Sequence, residues 1–158
     1  MLTDDINVIS MTAVNKAEVC SKYPGKFFIR SIMAGFYIAV ATILSHVTAA
    51  VLYSTYPQFG KVISSLLFSI GMVLIVFIGG ELFTGNNLTM AMGYYNSKCT
   101  LLDMGKVWLM SYLGNFVGTV FLSFILVESG ASKSILTEYY KTFVYGKLEI
   151  NFCLNGCF

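Results

Sequence analysis

The sequence predicts an all-α integral membrane protein whose second span is broken inside the bilayer. Three observations carry that expectation. Hydrophobic residues make up 56% of the 158 and charged residues 11%, against about 25% charged in ordinary soluble domains. The mean hydropathy is +0.73. Between Lys61 and Lys98 lie 36 residues in which Glu81 is the sole charge. As one helix they would run about 54 Å, far more than a bilayer core of about 30 Å. Inside that tract Gly79-Gly80-Glu81-Leu82-Phe83-Thr84-Gly85-Asn86-Asn87 gathers glycines, a carboxylate, a threonine and two asparagines. Irregular backbone at membrane depth survives only where protein buries it or it lines a wet cavity. Broken helices near the midplane are how many transporters build substrate sites. The stretch is therefore read as a pore element.

The elements follow in order. Residues 1–24 are expected to form an amphipathic helix outside the bilayer. Thr3 is placed to cap it, Asp4 and Asp5 suit its positive end, Ile6, Ile9, Ala13 and Ala17 share a face, and Pro24-Gly25 ends it. Such a helix either regulates a pore or serves as a packing arm. The transmembrane bundle is expected over 27–158, incomplete at its C-terminal end. Ser31 to Gly60 are 30 residues without a formal charge, so the first span is set at 27–52, with Tyr53 to Gly60 as an interfacial loop. The second span starts near Lys61, breaks between Gly79 and Asn87, and its short second half ends near Tyr95. A loop over 96–104 leads to a third span over 106–127. A polar connection over 128–145 precedes a fourth hydrophobic segment that starts near Lys147. Lysine and arginine number six on the side of the N-terminus and four on the other, which places the N-terminus in the cytoplasm. Lys26 with Gly35 and Lys147 with Gly156 repeat one spacing three spans apart, as inverted-topology repeats would.

Other function classes find little support. The net charge of +2 and the lack of a basic run argue against nucleic acid. No nucleophile–base pair or metal-ligand cluster points to an enzyme or to a cofactor. Cys20, Cys99, Cys153 and Cys157 form no CxxC pair; they read as small apolar packing residues, with a metal or disulfide role for Cys153 and Cys157 as the alternative. The N-terminus carries no cleavage signal.

Glu81-Leu82-Phe83-Thr84-Gly85-Asn86 resembles the signature of the formate/nitrite transporter family. Lys26 through Ala34-Gly35, Phe68-Ser69-Ile70-Gly71-Met72 and Tyr112-Leu113-Gly114-Asn115-Phe116-Val117-Gly118 are similar to other stretches of that family. The resemblance implies an aquaporin-like protomer of six spans in two inverted three-span repeats, assembled as a homopentamer in the cell membrane, with one pore per protomer. It implies small monovalent anions as substrates: formate, nitrite, hydrosulfide, and lactate in some branches. The family's second broken helix and its pore histidine lie in the second repeat, and His46 does not stand in that histidine's place. This sequence is expected to hold the first repeat and the start of the second, as a truncated product or a partial record.

By the same resemblance Phe68 and Met72 match one apolar constriction, Leu82 and Phe83 the other, Thr84 the hydroxyl between them, and Lys147 the lysine at the start of span four. Read without it, Phe68, Met72, Leu82 and Phe83 are ordinary core. Thr84 or Asn86 is then the N-cap of the second half-helix. Lys147 is either a functional cation, drawing in the anion and favouring its protonation, or an interfacial anchor that snorkels. Glu81, Gly85, Asn86 and Asn115 are expected to support the break. Glu81 would bond backbone N–H groups or pair with a lysine, and Asn115 would bond the broken backbone. Gly114 and Gly118 form a small-residue motif for close helix contact. The resulting expectation is a channel or proton-coupled transporter for small monovalent anions. The alternatives are an aquaporin-like channel for neutral solutes, without its Asn-Pro-Ala motifs, and a non-conducting fragment.

Overall fold

The computed structural model describes residues 2–53 and 55–130, with 141, 144 and 145 beyond them. It holds five helices in this stretch: α1 (Leu2–Lys22), α2 (Pro24–Tyr53), α3 (Pro57–Ile78), α4 (Phe83–Tyr95) and α5 (Leu101–Glu128). Three of them, α2, α3 and α5, are long and apolar enough to cross a membrane. The expected fourth segment, with Lys147, Cys153 and Cys157, lies outside the described residues.

Helix boundaries follow local chemistry and shift three expectations. Helix α1 starts at Leu2, so Thr3 is inside it rather than capping it. Only Tyr23 separates α1 from α2, because Pro24 does more than end the first helix. Having no N–H to give, it breaks the hydrogen-bond ladder and sits naturally in the opening turn of the next helix. Helix α5 begins at Leu101, earlier than its hydrophobic stretch, because Thr100 and Asp103 form a capping box. The Thr100 hydroxyl accepts from the Asp103 amide, and the Thr100 amide donates to the Asp103 carboxylate, both at 3.2 Å.

Helix α2 is central, with α3 on one side and α5 on the other; α1 lies across α4 and the start of α5. Small residues bring α2 and α5 together. A β-carbon on Gly118 would lie 2.1 Å from the Ile32 carbonyl oxygen, and one on Gly114 would lie 2.3 Å from Ser31 Cβ. Neither position admits any residue but glycine without moving a backbone. A buried apolar cluster joins α1, α2, α4 and α5 through Ala13, Cys20, Phe27, Met90 and Val107. Elsewhere the surface is oily: Leu66, Val73, Val76 and Phe77 of α3 and Phe116, Val120 and Phe124 of α5 are exposed. A surface of that kind suits lipid tails rather than water.

Candidate functional site

Helix α3 stops because Gly79 adopts a left-handed conformation, φ 85°, which costs glycine nothing. The amides of Gly79 and Gly80 both donate to the Ile75 carbonyl, at 3.0 and 2.9 Å. The chain then runs extended through Leu82 (φ −83°, ψ 131°) before α4 begins. Span two is thus interrupted within the stretch marked by its glycines. Helix α4, at 13 residues, is about 20 Å long and too short to cross a bilayer core.

Neighbouring helices satisfy the backbone that the break frees. The Glu81 amide donates to the Arg30 carbonyl of α2 (3.2 Å). The side-chain nitrogen of Asn115 on α5 donates to the Glu81 carbonyl (3.0 Å) and to the Ser31 carbonyl of α2 (2.8 Å). Its oxygen accepts the Phe83 amide (2.9 Å). One side chain therefore ties the break to both long helices beside it. Leu82 occupies the N-cap position and no side chain of α4 caps the helix. This corrects the N-cap reading of Thr84 and Asn86: the cap comes from Asn115, on another helix.

Glu81 is buried, and its carboxylate is paired with the ammonium of Lys16 on α1. Lys16 is the neighbour of the break least visible in the sequence. The signal lay in its register: it falls three residues after Ala13 and four before Cys20, on the packed side of α1. A cation there needs a carboxylate, and Glu81 is the only one in the broken span. Arg30 places a guanidinium nitrogen 3.1 Å from where a Gly79 β-carbon would be, over the carbonyl end of α3, where a cation complements the helix dipole.

The remaining candidates divide. Thr84 and Gly85 are exposed on the first turn of α4, and a β-carbon on Gly85 would meet nothing within 4 Å. Gly85 therefore gives the break no steric support. Leu82 and Phe83 are half-buried, and the Phe83 ring meets Tyr112 edge-on at 5.4 Å. Phe68 and Met72 stand one turn apart on α3, both exposed. Asn86 is buried; its backbone carbonyl accepts from the Trp108 indole (3.4 Å), while its side-chain nitrogen has no partner. His46 bonds back within α2 to the Thr42 carbonyl (2.7 Å).

Comparison with known proteins agrees with this architecture. The model of the family described as "Formate/nitrite transporter" matches residues 4–155. The chain is 34% identical over 113 residues to a probable formate transporter of Methanothermobacter thermautotrophicus, covering 70% of this chain and 41% of that protein. It is 30% identical over 135 residues to the nitrite transporter NirC of Salmonella typhimurium, covering 84% and 48%. A solved FNT family ion channel superposes with a TM-score of 0.76 at 28% identity, over 82% of this chain and 51% of that one. The chain spans about half the length of the curated relatives it matches.

Proposed function

The chain belongs to the formate/nitrite transporter family, and on that premise we propose that it is part of a multi-pass membrane channel or transporter for small monovalent anions such as formate, nitrite or hydrosulfide. The observation that carries the reading is the break in span two. It is held from outside by Asn115 and leaves Thr84 exposed on the first turn of α4. The first amides of a helix have no acceptor within it, and the helix dipole adds positive potential there. With the Phe83 amide taken by Asn115 and the Asn86 amide by the Leu82 carbonyl, an anion at Thr84 would meet a hydroxyl donor and the amides of Thr84 and Gly85 together.

In this reading Phe68 with Met72, and Leu82 with Phe83, form two apolar slits that strip water from a passing ion, and Thr84 sits between them. Lys147 supplies a cation that raises the local anion concentration, and the apolar slit beyond it desolvates the anion and so favours its protonation, coupling passage to a proton. The protein works as a homopentamer in the cell membrane with its N-terminus in the cytoplasm. The test is flux of formate, nitrite and hydrosulfide into proteoliposomes holding the full-length protein. Saturable anion flux that falls sharply in Lys147→Ala is expected. Conduction of neutral solutes with no anion flux would favour the aquaporin-like alternative and overturn the reading.

A further inference from the structure

The break carries a charge of the wrong sign for an anion pathway. Glu81 is three residues before Thr84, so their α-carbons are at most about 11 Å apart. A bare carboxylate at that range, at an effective dielectric near 20, repels an anion by about as much as a tenfold loss of occupancy. Lys16 stands against that charge, with its ammonium on the Glu81 carboxylate and both side chains mostly buried. Its placement is not left to a flexible stem alone. Ala13 and Cys20, on either side of it, are packed into the cluster with Met90 and Val107. At the far end of α4, the Asn96 side chain donates to the Ser10 hydroxyl of α1 (3.0 Å). Arg30, the other cation beside the break, lies over Gly79 and the carbonyl end of α3. Lys106 of α5 is exposed.

We infer that Lys16 is a positioning residue for anion passage: α1 carries a cation to the break, where it cancels Glu81 and leaves the attraction of the α4 amino end unopposed. This rests on the anion-conducting reading and extends it, giving α1 an electrostatic task at the pore element. A rival account makes the pair a mechanical clasp that merely holds α1 down. The two part company when the charges are removed separately. A clasp is lost equally in Lys16→Gln, in Glu81→Gln and in the double variant. An uncompensated negative charge is created only in the first.

The experiment measures formate uptake against formate concentration in proteoliposomes of the full-length protein, with wild type and the three variants matched for oligomer content. Lys16→Gln is expected to raise the half-saturating concentration about tenfold. The double variant is expected to return it to within about twofold of wild type, and Glu81→Gln alone to leave it at or below the wild-type value. Equal impairment in all three, or no change in Lys16→Gln, overturns the assignment. If Lys16→Gln fails to assemble, Glu81→Gln decides alone, and a raised half-saturation there overturns it. Wild-type liposomes that pass no formate overturn the anion reading and the Lys16 assignment with it, whereas wild-type flux with unaltered variants overturns only the assignment.

Discussion

Asn115 and Phe83 lie 32 residues apart in the chain and are joined by a 2.9 Å hydrogen bond from the backbone of one helix to the side chain of another. The same amide also bonds Glu81 and Ser31, so the two halves of span two are held through a third element. Asn115→Leu keeps the volume and strips three hydrogen bonds, leaving the Phe83 N–H and the Glu81 carbonyl unsatisfied. Each such buried group costs about 1–3 kcal/mol, so for the two a loss of about 2–6 kcal/mol is expected. Thermal unfolding in detergent measures it, and an unshifted transition would show that other groups take over these bonds.

The contact between α2 and α5 makes a sharper steric demand. Gly118→Ala puts a carbon 2.1 Å from the Ile32 carbonyl oxygen, and forced overpacking costs about 1–3 kcal/mol or more. Gly105 lies on the same helix with nothing within 4 Å of its β-position. Gly105→Ala is therefore expected to be neutral or to stabilise by up to about 1 kcal/mol, through helix propensity. Comparing the yield of monodisperse oligomer for the two variants checks the contrast.

On the proposed reading of the break as a pore element, Thr84→Val preserves shape and removes the hydroxyl. Because Thr84 caps nothing, assembly should be unchanged while discrimination among formate, nitrite and hydrosulfide narrows. Leu82→Ala should widen a slit and admit larger carboxylates. Competition flux assays read both, and a Thr84→Val protein that fails to assemble would return Thr84 to a structural role.

The broken helix was legible because its cause is compositional: a tract too long for a bilayer, with Gly79 where α3 ends and φ turns positive. Gly114 and Gly118 announced a close contact, though nothing in the sequence named α2 as the partner. The fine structure of the site was less accessible. The carbonyl of Arg30 accepts the Glu81 amide of the break and that of Ser31 accepts the Asn115 side chain that holds it, yet a backbone acceptor in mid-helix leaves no mark on the sequence. The N-cap was assigned to Thr84 or Asn86 because capping rules look along the chain, whereas the cap arrives from Asn115 across the bundle. Lys16 was counted toward orientation alone, although its register on the packed side of α1 pointed to a buried partner.

The thiols offer a pH test of the α1 packing. Burial pushes the Cys20 thiol above its ordinary range, partly opposed by Lys106, and Glu81 and Asp103 push it further. Burial, then Asp103, raises Cys99 as well. Since the thiolate is the nucleophile, a raised value means less thiolate at neutral pH. In a Cys153→Ser, Cys157→Ser background both thiols should label with maleimide more slowly than free cysteine at pH 7, and the gap should shrink as pH climbs. Rates equal to free cysteine at pH 7 would mean that α1 does not stay docked on α4 and α5.

Asn115 is also made later than the break it caps, and this bears on how the protein is born. A ribosome delivers α3 and α4 to the membrane before the residue that finishes them exists. Until α5 arrives, the Phe83 amide and the Glu81 carbonyl lack their partner, and α4 is too short to cross on its own. The short half-helix is therefore expected to wait at the membrane surface and to settle only when the following helix inserts. A nascent chain halted before residue 101 should leave a cysteine in place of Asn86 open to a water-soluble maleimide. One carried beyond residue 128 should shield it. Labelling that is the same at both lengths would mean that the short half-helix seats itself without its cap.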